Sequence, residues 1–171
     1  MDKLAPNVIE PLTPARDTGR FDCGNEALNL WLKRFAWTNV KNDSARVFVQ
    51  HRRNSVVTGY YALTAGSIAR DEAPQRIAQG LAAHPVGVAV LGRLAVDTSQ
   101  QGKGIGILLL QDALRRVERA GDMIAIRAVM VQAIDETAKS FYGRFGFVST
   151  RDDDKKMLLL MKDIRAMFRV Q

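Results

Sequence analysis

The chain has 171 residues, 47% of them apolar and 25% charged, which suits one compact domain, expected to span residues 1–171, with a sizeable core. No run of roughly eighteen apolar residues exists, so no membrane-spanning helix is expected, and Met1 to Pro14 lacks the apolar segment of a secretion signal. The expected compartment is therefore the cytoplasm. The lone Cys23 excludes an internal disulfide, and His51 and His84 lie far apart without metal-ligand spacing, so no metal is expected. A formal net charge of +7 favours polyanions such as nucleic acid, a phosphorylated cofactor or an acidic protein.

Taken in chain order, Asn25 to about Asn39 reads as an amphipathic helix. Leu28, Trp31, Leu32, Phe35 and Ala36 recur at three- and four-residue steps, and Asp22 or Gly24 can cap its start. Two β-type runs follow, Arg46 to Gln50 and Val56 to Leu63, joined as a hairpin by Arg-Arg-Asn-Ser. Residues 66 to 85 are broken by Gly, Pro and charges, with a short helix around Gln75 to Ala82. The valine-rich stretch Val86 to Val96 reads as a buried central strand. A helix is expected from about Gly104 to Ala120, with Leu109, Leu110, Ala113, Leu114 and Val117 on its core face. Ile124 to Val131 reads as another buried strand and Asp135 to Phe145 as a helix ended by Gly146. Two last strands, Phe147 to Thr150 and Met157 to Met161, flank a charged turn over 152–156. The order is that of an α/β fold with a mixed sheet.

Between strand and helix lies Gln101-Gly102-Lys103-Gly104-Ile105-Gly106. Glycines let a ligand approach the backbone closely, and the following helix start offers unpaired N–H groups and a positive dipole end to an anion. A pyrophosphate is the natural guest, with Lys103 beside it. A Walker loop requires Gly-Lys-Ser/Thr, whereas here Gly-Ile-Gly follows the lysine. A dinucleotide fingerprint belongs near the start of the first βαβ unit, and this turn lies past the middle of the chain.

Leu91-Gly92-Arg93-Leu94-Ala95-Val96-Asp97 followed by Gln101 to Gly106 resembles the acetyl-CoA motif of the GNAT superfamily, Gln/Arg-x-x-Gly-x-Gly/Ala. Ala138-Lys139-Ser140-Phe141-Tyr142-Gly143-Arg144-Phe145-Gly146-Phe147 resembles its second signature. The resemblance implies the GNAT (acyl-CoA N-acyltransferase) fold, a mixed central sheet with splayed strands flanked by helices, and acetyl-CoA as co-substrate. It implies that the backbone of Leu94, Ala95 and Val96 pairs with the pantetheine arm. It implies further that Gln101, Gly102, Lys103, Gly104, Ile105 and Gly106 hold the pyrophosphate, and that Tyr142 lies near the thioester sulfur. Many relatives carry Asn where this chain has Asp135, so Asp135 either contacts the pantetheine or caps its helix.

Acyl transfer to an amine needs an unprotonated nucleophile, a polarised carbonyl and a proton for the leaving thiolate. A phenol near pKa 10 at Tyr142 can donate that proton. The run Val86 to Val96 holds no carboxylate, where many lysine-acetylating relatives use a Glu as base. A lysine amine near 10.4 is almost wholly protonated at neutral pH, whereas an α-amine near 7.7–8.0 is partly free, so the sequence leans towards an α-amine acceptor.

Phe21-Asp22-Cys23-Gly24-Asn25, Leu28-Asn29, Trp31-Leu32, Ala36 and Gly59-Tyr60-Tyr61 resemble the acetyltransferase toxins of type II toxin–antitoxin modules. That resemblance implies transfer to the α-amine of aminoacyl-tRNA, arrest of translation, and a ribbon-helix-helix antitoxin as partner, with a homodimer possible. Alternatives are a small-molecule or protein N-terminal acetyltransferase, and a CoA-binding interaction protein. Arg93 is expected either to pair with a carboxylate or to touch acceptor-stem phosphate. Lys33 and Arg34 are candidates for RNA contact or a solvated helix face. Cys23 is expected to be a small buried residue, since no histidine lies close to it in sequence.

Overall fold

The computed structural model describes residues 8–52 and 55–169, so Arg53 and Asn54 of the expected hairpin turn, and Met1 to Asn7, lie outside the described residues. Seven strands hydrogen-bond in the order β1-β2-β3-β4-β5-β7-β6. They are β1 Ile9–Pro11, β2 Arg46–His51, β3 Val57–Ile68, β4 Val86–Val96, β5 Ala128–Gln132, β6 Val148–Ser149 and β7 Lys156–Leu160. The helices are α1 Glu26–Leu30, α2 Ala36–Lys41, α3 Gln75–Ala78, α4 Ile105–Ala120, α5 Glu136–Gly143 and α6 Met161–Arg169. The sheet is mixed: β4 and β5 run parallel, while β1–β2, β2–β3, β5–β7 and β6–β7 are antiparallel. The chain falls into two compact units, Met1–Thr64 with Arg93–Ala113, and Ala65–Gly92 with Leu114–Gln171.

In the first unit, α1 and α2 are joined by a π-helical turn, Trp31–Phe35, in which the Ala36 N–H reaches back five residues to the Trp31 carbonyl. The extra residue per turn decides which apolar side chains meet the core. Leu32 and Ala36 are buried, but Phe35, expected on the same face, is 49% exposed. The cap is Asn25, whose side chain accepts the Leu28 N–H, and neither Asp22 nor Gly24. Phe21, Leu32, Val49, Tyr60 and Ala95 are among the residues that close this core. The three residues of β1 pair with Phe48, Val49 and Gln50 of β2. So short a strand, ending in a proline that edge positions tolerate, leaves no periodicity to read. The start of α4 also belongs here, and Gly59 on β3 seats it. A Cβ at that position would come within 3.0 Å of Leu109 and 3.3 Å of Ile105.

In the second unit, Val88 to Leu91 of β4 register with Ala128 to Val131 of β5, and β5 pairs in turn with β7. The strand expected from Ile124 begins at Ala128: Met123 and Ile124 sit in the return loop, 90% and 67% exposed. The expected last strand stops at Leu160, and Met161 opens α6 instead. Met161 and Ile164 are buried, and Arg115 lies over the Phe168 ring, a three- and four-residue spacing that marks a helix face. Helix α4 buries Leu109, Leu110, Ala113, Leu114 and Val117, as its spacing requires.

Candidate active site

The glycine turn begins where β4 ends. Asp97 caps a 3-10 turn, Thr98–Gln100, through the Ser99 N–H and hydroxyl at 2.9 and 2.7 Å, and its other oxygen accepts the Asp22 N–H at 3.0 Å. Burial pushes this carboxyl up, but the donors from Asp22 and Ser99 outweigh it and hold the group below its usual range. Gly102 and Gly104 then take φ of +76° and +81°, a left-handed backbone that residues with a Cβ adopt only under strain. Nothing lies within 4 Å of where a Cβ would project from either. The Leu108 N–H bonds the Gly104 carbonyl at 3.1 Å, so the N–H groups of Ile105, Gly106 and Ile107 precede the first helical bond of α4. No acidic residue occurs from Gln100 to Gln111, and Lys103 is exposed. Open left-handed glycines, unspent helix N–H groups and one cation fit the pyrophosphate of acetyl-CoA in their chemistry.

The Gln101 side chain has another task. Its Nε2 donates to the carbonyls of Val96, 2.9 Å away, and Cys23, 3.1 Å away, bracketing the glycine turn between the end of β4 and the N-terminal loop. That loop is itself a closed network. Asp22 Oδ1 accepts the Gly24 N–H and Asn29 Nδ2, while Asn29 Oδ1 accepts the Cys23 N–H at 2.8 Å. Asn29 is 4% exposed, and these bonds satisfy its amide where water cannot. The run Phe21 to Asn29 is thus structural. Sequence reasoning did not see the bracket, because its partners lie more than seventy residues apart. Cys23 is half-buried, and burial pushes its thiol up, away from the thiolate a nucleophile needs.

Among the described residues Arg93 pairs with no carboxylate. Its guanidinium lies 4.1 Å from the centroid of the Trp31 ring, and Trp31 stacks on Tyr60 at 6.0 Å with the rings 12° apart. Tyr60 in turn donates its hydroxyl to the Leu28 carbonyl at 2.8 Å. A cation over an indole is the stronger form of this contact, so Arg93 holds helix to strand. Lys33 and Arg34 are exposed on the π-helical turn. Tyr61, fully buried, donates to Asp112 Oδ2 at 2.6 Å, a second tie between β3 and α4.

Tyr142 and Asp135 belong to the second unit. Asp135 Oδ1 accepts the Ala138 N–H at 2.8 Å, so this carboxylate caps α5, the second of its two expected readings. Tyr142 lies on the last turn of α5, 8% exposed, with its ring 5.3 Å from Phe141 and 5.4 Å from Phe147. Burial pushes its phenol up to about 12. The hydroxyl therefore stays protonated at neutral pH, which leaves it a hydrogen to donate. The same burial widens the gap to a thiol near 8.5. Donation of a hydrogen bond to the sulfur as charge develops fits this group better than transfer to a free thiolate. A cavity of about 450 Å³ in this unit, lined in part by His84, Arg127 and Arg165, contains none of the expected site residues.

The expected residues thus divide: Arg93 to Val96 and Gln101 to Gly106 lie in the first unit with Lys33 and Arg34, and Asp135 and Tyr142 in the second. Comparison with known proteins adds three findings. The acetyltransferase (GNAT) domain family matches residues 38–161. A "tRNA-acetylating toxin" of Mycobacterium tuberculosis is 40% identical over 156 residues, covering 91% of this chain and 93% of that protein. Among solved structures, AtaT complexed with acetyl-methionyl-tRNAfMet aligns with a TM-score of 0.87 at 30% identity, over 94% of this chain and 98% of that one. A mutant AtaT toxin bound to the C-terminus of the antitoxin AtaR and acetyl-CoA gives 0.80 at 32% identity, over 95% and 97%.

Proposed function

Because the chain belongs to the GNAT acetyltransferase family, we propose that it is the toxin of a type II toxin–antitoxin pair, moving acetyl from acetyl-CoA to the α-amine of aminoacyl-tRNA and so blocking translation. The observation that carries this reading is its likeness, along nine-tenths of its length, to a toxin named for acetylating tRNA. The physical features agree. The net charge is +7, which suits an RNA substrate. The strand β4 offers no carboxylate as a base, and an aminoacyl ester withdraws electrons, leaving its α-amine less basic than a free N-terminus.

Bound acetyl-CoA supplies an acetyl group activated as a thioester. The chain's own residues do the rest. Gly102 to Gly106 and Lys103 receive the pyrophosphate, Gln101 fixes the turn that does so, and the backbone of Leu94, Ala95 and Val96 lies along the pantetheine. Asp135 orders the start of α5, and Tyr142 donates a hydrogen bond to the departing sulfur, which leaves as the thiolate. The amine nitrogen forms the new N–C bond, the C–S bond breaks, and the amine's proton passes to solvent. The same reading gives the chain a small ribbon-helix-helix antitoxin as partner, a cytoplasmic site of action and one acetyltransferase domain over 1–171. A homodimer is the assembly for sedimentation to test.

The test offers purified protein and acetyl-CoA three acceptors side by side: aminoacyl-tRNA, deacylated tRNA and the free amino acid. Charged tRNA should be acetylated, and deacylated tRNA should compete without reacting. A free amino acid that reacts as well as charged tRNA makes the chain a small-molecule acetyltransferase instead.

A further inference from the structure

The outer face of α1–α2 is not explained by anything above. Leu32 and Ala36 face the core, so the residues half a turn away face solvent: Leu30, Arg34, Trp37 and Lys41, spaced by four, three and four. The π-helical turn adds Phe35. Phe35, the last residue of that turn, follows Arg34 directly in the chain. Leu30, Phe35 and Trp37 are 37%, 49% and 36% exposed. Scattered exposed apolar residues are ordinary, but here two aromatic rings lie between two cations in the chain. No Asp or Glu occurs from Ala27 to Asn42, and Arg34 and Lys41 form no salt bridge among the described residues. The first acid beyond them, Asp43, is paired with Arg46 at 2.7 Å.

We propose that Phe35 and Trp37, flanked by Arg34 and Lys41, form a stacking platform for the unpaired 3′ end of the tRNA substrate, its bases on the rings and its phosphates on the cations. The inference rests on the functional reading above and deepens it. Unpaired nucleotides are the occupant this chemistry selects. Flat rings bind any base by its π face, and cations beside them follow the backbone. A-form duplex hides its bases in a groove side chains cannot enter. The strand that carries the aminoacyl ester ends in such unpaired bases. The π-helical turn is the device that makes the platform, since in a regular helix Phe35 would return to the core with Leu32 and Ala36.

The test uses full-length protein carrying Phe35→Ala, Trp37→Ala, Trp37→Tyr or Trp37→Leu. Phe35 is half exposed and Trp37 about one-third, so Phe35→Ala should unfold near the wild-type temperature, Trp37→Ala somewhat lower, and both should keep the shift with acetyl-CoA. Each alanine variant should raise KM for charged tRNA roughly 5- to 150-fold, the range base–aromatic stacking supplies, with kcat unchanged. Trp37→Tyr should restore most of the affinity and Trp37→Leu should not, since leucine is apolar without a stacking face. Independently, a short unpaired RNA oligonucleotide should quench the protein's tryptophan fluorescence, and Trp37→Ala should abolish the quenching although Trp31 remains.

If charged tRNA is acetylated and the alanine variants keep KM within twofold, the platform is refuted and the functional reading stands. If no charged tRNA is acetylated, that reading fails, and the oligonucleotide quenching alone decides the platform. Full rescue by Trp37→Leu, or a change in sedimenting mass on Trp37→Ala, would make this face a protein-docking surface and overturn the proposal.

Discussion

Tyr142→Phe tests the buried phenol in two ways at once. The substitution removes one oxygen from a side chain that is 8% exposed and packed on Phe141 and Phe147, so the fold should persist. Burial raises the phenol from its ordinary 10.0 to about 12 in the folded protein. The folded state therefore holds the proton more tightly than the unfolded chain. The sign follows: the contribution to stability is fully present below pH 10 and is lost as pH rises through about 12. At ~1.4 kcal/mol per tenfold, the gap is worth on the order of 3 kcal/mol. Urea unfolding of wild type and Tyr142→Phe at steps from pH 8 to pH 12 isolates this group, because all other titrations cancel in the difference. The difference should be flat to about pH 10, then move by ~2 kcal/mol in the variant's favour by pH 12. Turnover near neutral pH should meanwhile fall by ~10²–10³-fold, the usual worth of one preorganised hydrogen-bond donor to developing charge, with acetyl-CoA binding intact. A difference that stays flat to pH 12 would refute the burial argument, and full turnover in the variant would refute the donor role.

Gly104→Val should abolish the thermal stabilisation that acetyl-CoA confers by mass action on the folded state, because the new side chain enters the open space beside the helix start. Gly80→Val is the matched control: its φ of +78° is equally left-handed and equally open, so it should lower Tm similarly yet keep the shift. Arg93→Ala should cost about 1 kcal/mol in urea unfolding, the scale of a cation–π contact, and a salt slope for tRNA binding lower by about one would show that its N–H edge also meets phosphate. Raising salt from about 50 to 200 mM should weaken tRNA binding by tens-fold or more if roughly four phosphates are contacted. A filter-binding assay that shows no such fall removes the phosphate contacts from the substrate model.

Local chemistry was what the sequence could settle. The core face of α4, the buried strand β4 and the left-handed glycines at 102 and 104 each depend on residues within a few positions, through helical spacing, side-chain shape and the lack of a Cβ. The helix α6 was missed: the spacing of Met161, Ile164 and Phe168 carries it, but Met161 reads as the end of a strand. Two signatures forty residues apart carried the family. What the sequence could not settle are choices among partners. Asp135 had a cap or a cofactor available, and the backbone geometry at Ala138 shows that one of its oxygens caps the helix. Arg93 had a carboxylate or a phosphate to expect, and of the protein's own groups it lies over Trp31, because a helix sixty residues earlier packs against that strand. Phe35 lies outside the core where the helix winds as a π turn, a change of winding that periodicity assumes away. Tyr142 keeps its identity as a donor in either reading, but its proton affinity is set by the rings around it. Burial is a property of the packed molecule, and the chain written out in one dimension does not contain it.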